Sequence, residues 1–313
     1  MARARGARAQ MALAFETAYG TPPGSGYTKM PFASSTLGAE QPLLASELLG
    51  YGRDPITPVK DAITVDGDVV IPIDLRFLGY WLKALFGAPT TTETTGVYTH
   101  EFVSGLWDLP SMAIEVGMPD VPHFAMMSGV KADSLSWQMQ RSGLVTATVS
   151  CVAQGETTAT SSQAGTPAEL DLRRFGSFAG AIKRGGTPLG NVVSGEITYS
   201  NTLDRIEVIR ADGKIDGADA AMASLTGAIE VRFADTTLLD QAINGQAAEL
   251  AFGYEIDADR RFELVAHAVY LPRPRLSLGG PGGVQARFEW QAARDPGTGR
   301  MATATLVNDV ETY

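Results

Sequence analysis

The sequence predicts a mainly β fold, made of two related strand–helix–strands units with one short helix flanking each. Three observations carry that prediction. Alternation of apolar and polar residues with period two runs through most of the long segments. Glycine is abundant, at 34 residues, while only 19% of the chain is charged, which suits strands and turns better than long helices. The order of segments also recurs when the chain is slid over itself by about 160 residues. At 313 residues the chain can hold one large core or two small ones.

Residues 1–30 join an Arg-rich start to Tyr19-Gly-Thr-Pro-Pro-Gly-Ser-Gly26, which is turn chemistry, and read as an N-terminal arm outside the core. Asp74 is placed to cap a helix over Leu75–Phe86, with Leu75, Leu78, Leu82, Leu85 and Phe86 on one stripe and Gly87 to end it. Ser134–Gln140 puts Leu135, Trp137 and Met139 on one face. After the turn Arg141-Ser-Gly143, Val145–Cys151 alternates again, so the two form a long hairpin. The stretch Gln154–Pro167 has linker composition.

Leu225–Phe233 alternates with Ile229, Val231 and Phe233 inward. A second helix is expected from Asp235-Thr236, carrying Leu238, Leu239, Ala242 and Ile243 before Asn244-Gly245. Phe262–Ala268 is a further strand. A last pair, Arg275–Leu278 and Ala286–Ala292, flanks Gly279-Gly-Pro-Gly-Gly283.

The shift lays Ser46–Leu49 over Ile206–Ile209, Gly67–Ile73 over Gly227–Phe233, and one helix over the other. Ser111–Gly117 would answer Phe262–Ala268. The 134–152 hairpin would answer 275–292 if the second copy has lost roughly twenty loop residues. The expected organisation is an arm at 1–30, a first unit at 31–155, a linker at 156–185 and a second unit at 186–313.

Chemistry finds little purchase. The single cysteine, Cys151, excludes an internal disulfide and a cysteine-based zinc site, and its surroundings read as a buried hydrophobe. His100, His123 and His267 are widely spaced: His267 reads as a sheet histidine, the other two as structural residues in loops. Asp212, Asp216 and Asp219 miss the spacing of a calcium loop. Gly279–Gly283 lacks the Lys-Ser/Thr of a phosphate loop. Tyr80-Trp81 is explained by a broad apolar helix face. No catalytic, cofactor-binding or metal-binding residue is assigned, and an enzyme is not expected.

Glu115, Glu207, Glu230, Glu263 and Glu289 are ordinarily a solvated sheet face; if the sheets close into a barrel, some of them become a lumen lining. A formal charge of −10 argues against a tight nucleic-acid clamp. No apolar run approaches a membrane span or a secretory segment, so synthesis in a cytoplasm is expected.

Tyr19-Gly-Thr-Pro22, Leu203–Gly213, Arg232-Phe-Ala-Asp235, Tyr270-Leu-Pro-Arg-Pro274, Gly280-Pro-Gly-Gly-Val-Gln285 and Leu306-Val-Asn-Asp-Val310 resemble tail tube proteins of long-tailed bacteriophages. The likeness is clearest after about residue 190, and 1–190 match mainly by layout. It implies a tail-tube-type β-sandwich or barrel unit whose strands complete an inner β-barrel in a ring. The rings would stack into a hollow conduit in the virion tail for DNA delivery.

With a duplicated chain, a trimeric ring of pseudo-sixfold symmetry is favoured over a hexamer. The resemblance also implies contacts with a tape measure protein and with tail terminator and distal tail proteins. No cofactor and no membrane partner are implied. Residues 1–30, the Pro/Gly-rich 50–60 and the loop 88–110 are candidates for contacts between rings. An acidic wall would repel passing phosphates. The competing reading is a β-sandwich binding module, such as a virion decoration or baseplate adhesin protein, which exposed aromatics on a concave sheet would favour; Trp137 and Trp290 are expected on core faces instead.

Overall fold

The computed structural model describes residues 3–276, 280 and 282–313. Strands β1 (Gln10–Phe15), β2 (Thr28–Lys29), β3 (Ser34–Ser35), β4 (Gly38–Glu40), β5 (Leu43–Leu44), β6 (Val59–Lys60) and β7 (Thr64–Pro72) precede helix α1 (Leu78–Phe86). Then come β8 (Thr90–Thr94), β9 (Val97–Val103), β10 (Met112–Met118), β11 (His123–Gln140), β12 (Thr146–Ala153) and β13 (Gly155–Ala159). The second half holds β14 (Gly180–Arg184), β15 (Thr187–Pro188), β16 (Val192–Ser200), β17 (Leu203–Ile206), β18 (Gly217–Ala220) and β19 (Ser224–Arg232). Helix α2 (Thr237–Asn244) follows, with β20 (Ala248–Asp257), β21 (Arg260–Tyr270), β22 (Gln285–Ala293) and β23 (Ala302–Asn308).

Most of the strands pair antiparallel into two layers. The first runs β3/β4–β7–β12–β11–β16–β19–β22. The second runs β8–β9–β23–β21–β20–β14–β15 and joins the first where the end of β21 meets β22. Alternation explains why they stack. Leu135, Trp137, Val149, Ile197, Ile229, Phe288 and Trp290 turn inward from one layer; Phe252, Leu264, Ala304 and Leu306 do so from the other. Trp137 meets Phe262 at 6.1 Å and Trp290 meets Phe252 at 5.3 Å between ring centroids. Cys151 is part of this core, and burial raises its thiol pKa to about 12, so it stays protonated.

Helix α1 begins three residues later than the stripe predicts. Asp74 nevertheless acts as its cap, accepting the backbone N–H groups of Arg76, Phe77 and Leu78 at 3.0, 3.0 and 3.1 Å. All five stripe residues are buried, and Gly87 closes the helix at φ 89°. Phe86 stacks on Tyr199 at 4.4 Å, which ties the helix to the second half of the chain. α2 matches its expected span, with Asp235 accepting the Thr237 N–H and Gly245 left-handed.

Burial pushes the Asp74 carboxyl up from 3.8 to about 6, against the pull of its three N–H donors and of Arg174. The folded chain therefore holds this proton more tightly than the unfolded chain. Its contribution favours folding in acid and is lost as the pH rises from about 4 through 6. Asp74→Asn, which keeps an acceptor but cannot titrate, should flatten the pH dependence of Tm across that window. Asp74→Ala strands three donors and should cost roughly 2 kcal/mol or more in a denaturant melt.

Several expectations are corrected. Residues 10–15, read as part of an arm outside the core, form β1, where Met11, Ala12, Leu13 and Ala14 are buried between β10 and β2. An apolar run covered on both sides shows no alternation, which is why it was not legible. The linker-like stretch opens with β13, paired to β11. Residues 88–110, read as a loop, hold β8 and β9. Ser111–Gly117 falls on β10, which pairs with β1 and β11 and is the third strand after α1, whereas Phe262–Ala268 falls on β21, the second strand after α2. Of the strand expected at Arg275–Leu278, Arg275 and Leu276 are irregular, and the rest, with Gly279 and Pro281 of the glycine stretch, lies outside the described residues.

Candidate assembly face and sheet edges

The first layer has a second face, turned away from the core, and register assembles it into rows. One row reads Thr148, Ser136, Thr198, Thr226 and Gln291. The next reads Gln138, Glu196, Ala228 and Glu289; the third reads Gln140, Ser194, Glu230 and Arg287. Hydroxyls and amides dominate, with three carboxylates against one cation. Arg287 grips Glu196 through two hydrogen bonds of 2.9 and 2.5 Å and holds its carboxyl below the ordinary range. Because both partners are substantially exposed, the pair organises the face more than it stabilises the fold. Gly227 lets the layer close up behind these rows: a Cβ there would lie 1.9 Å from the Glu196 carbonyl oxygen and 2.6 Å from the Trp290 ring.

The layer ends in two open edges. Phe233 N–H donates to Val284 O across the β19–β22 register, so in antiparallel alternation Ala286, Phe288 and Trp290 bond to β19. Gln285, Arg287 and Glu289 then direct their backbone groups to the other side, where β21 reaches only the last residues of β22. At the opposite end Thr36 N–H donates to Asp68 O on β7, while Ala39 N–H turns outward to Glu156 Oε2 at 2.8 Å. Open edges of this kind are templates for another chain.

The edges echo a junction inside the layer. Ser34 pairs with Val70 and Glu40 with Thr64, as Ser194 pairs with Glu230 and Ser200 with Ser224, 160 residues on. On the other side of β7, Thr146–Val152 lie as Gln285–Gln291 lie on β19, 139 residues on. Between β12 and β16 the gap is filled by β11, paired to both.

The residues singled out in the sequence scatter. Glu230 and Glu289 lie on the polar face; Glu196 was missed there, and its place in the period-two pattern of β16 was the signal for it. Glu115 is buried, accepting from Ser162, Gln163 and Ala164; Glu263 pairs with Lys183 at 2.7 Å; Glu207 follows the end of β17. His100 and His123 are in strands rather than loops. His100 is fully buried between Thr91 Oγ1 at 2.9 Å and Val310 O at 2.8 Å, with its pKa lowered by burial. His267 meets Thr303 Oγ1 at 2.8 Å. Asp212 and Asp216 both close on Arg210. Among the described residues no group of three or more His, Cys, Asp or Glu could hold a metal ion. Trp137 and Trp290 are buried, so the polar face offers neither as a binding aromatic.

The layer thus combines one polar face with edges to which another chain can add strands. The family model described as phage tail tube protein matches residues 6–292, and the chain belongs to that family. It is a structural, non-enzymatic protein of the virion tail. Among curated proteins, none matches the chain.

Proposed function

We propose that the chain is a duplicated tube subunit, with units at 31–155 and 186–313 joined by 156–185 and with residues 1–30 packed on the first. Three copies close a ring of pseudo-sixfold symmetry. The β22 edge of one copy faces the β3/β4 edge of the next, and the polar rows line a lumen through which DNA passes. The observation that carries this is the pair of equal registers 160 residues apart, flanked by two open edges that match the internal β12–β11–β16 junction. Heterologous edges of this type close into rings, and axial contacts extend the rings. The tube would hold a tape measure protein during assembly and meet tail terminator and distal tail proteins at its ends.

Native mass spectrometry with electron microscopy tests this. Rings of three 33.1 kDa chains that stack into hollow filaments are expected. Six-copy rings would keep the tube and reject the trimer, and a monomer under every condition would reject both.

A further inference from the structure

The two ends of the polar sheet differ in kind. Before β7 the chain makes the β5–β6 hairpin, whose 45–58 connection carries Leu48, Leu49, Tyr51 and Ile56 exposed, Leu49 at 93%. Among the described residues no hydrogen bond joins 45–58 to the rest of the chain. The corresponding β17–β18 connection also exposes Val208 and Ile209, but it is drawn together by Arg210 on Asp212 and Asp216. A free apolar hairpin of that size is costly in water and marks a contact surface.

At the far end of β7, beside Pro72, lies a cleft of about 490 Å³. Phe32, Leu144, Val145, Phe175 and Phe178 supply its apolar lining, with Leu144 78% and Phe178 95% exposed. Arg141 and Arg174 are the charged residues on its wall, and neither makes an ion pair among the described residues. The hairpin connection carries Glu47 and Asp54 against Arg53, so charge as well as apolarity is complementary. Nine residues of β7 separate the two features, roughly 25–30 Å of strand.

Resting on the tube reading, we infer that this is a socket-and-plug contact between successive rings: the 45–58 connection of one copy seats in the Phe32–Leu144–Phe178 cleft of a copy in the next ring. The plug and the socket lie at opposite ends of the same strands and hence on opposite rims of a ring. The contact is head-to-tail, so it repeats without limit. Acidic residues of the plug, Glu47 above all, meet Arg141 and Arg174.

Crosslinking tests the pairing. In Leu49→Cys/Leu144→Cys the two new thiols are exposed while Cys151 is buried and protonated. Mild oxidation of assembled protein should give a ladder of covalent multimers, and Leu49→Cys alone should stay monomeric on a denaturing gel. Leu48→Glu/Leu49→Glu should leave rings of wild-type copy number but abolish filaments. Wild-type filaments without a ladder in the double-cysteine variant, crosslinked dimers from Leu49→Cys alone, or filaments that persist in the double-Glu variant would overturn the contact while leaving the ring intact. Absence of rings in the wild type would instead overturn the tube reading itself.

Discussion

Two edge-blocked variants, each built on the Leu48→Glu/Leu49→Glu background that removes axial stacking and each monomeric alone, are expected to give dimers and nothing larger when mixed. Glu289→Pro removes a backbone N–H that points away from β19, so it blocks the β22 edge without cutting the ladder behind it. Proline is tolerated on an edge strand for that reason. Ala39→Pro obstructs the other edge with its ring, giving up the bond to Glu156 rather than one to β7. Losing that bond costs about 1 kcal/mol, small beside the stability of a layered core.

A ring contact needs one good β22 edge and one good β3/β4 edge. Each variant carries only one of the two, so neither can pair with itself. In the mixture a single contact forms between the unblocked edges, and the dimer then presents two blocked ones. Sedimentation velocity distinguishes monomer, dimer and ring directly, with circular dichroism melts to confirm that both variants fold. Rings from either variant alone, or from the mixture, would place the contact elsewhere. Glu289→Lys, which keeps the N–H, should form rings as the wild type does.

How much of this was written in the sequence depends on what each segment faces. Ser134–Cys151, Leu225–Arg232, Phe262–Ala268 and Ala286–Ala292 each cover a core on one side and water on the other, so alternation exposed them. The helices were legible because Asp74 and Asp235 stand before apolar stripes and Gly87 and Gly245 after them. β1 failed the same test because Met11–Ala14 are covered on both faces. β13 failed because Gly155–Ala159 has few apolar residues and is held by pairing to β11. Glu115 carried no sign of burial, since its three donors come from residues 162–164, almost fifty positions away. The polar face was half legible: Glu230 and Glu289 belonged to recognised strands, but which of five glutamates share a face is decided by register between strands, a non-local property.

Reversing two of those carboxylates should turn a non-stick surface into one that holds DNA. Glu230 and Glu289 occupy neighbouring rows beside Arg287. In Glu230→Lys/Glu289→Lys the three rows change from one cation and three carboxylates to three cations and one carboxylate, with the Arg287–Glu196 pair left in place. Both side chains point away from the core, so folding and ring closure should survive.

Inside a closed ring these charges face each other across a narrow channel, where field lines are focused. Each phosphate neutralised releases counterions and steepens the salt dependence of binding by roughly 0.9 in the log–log slope, so several contacts amount to orders of magnitude at low salt. Duplex DNA should co-sediment with variant tubes at about 50 mM salt and be released by about 200 mM. Wild-type tubes should bind little at either concentration.

The control makes the same charge change away from the polar rows, with Glu255→Lys on the second layer and Glu311→Lys in the segment after β23, both exposed. If location matters, the control tubes stay free of internal DNA when their ends are imaged, although their net charge has moved by the same amount. Equal retention by both variants would mean that overall charge governs sticking and that the rows on β16, β19 and β22 do not face the channel.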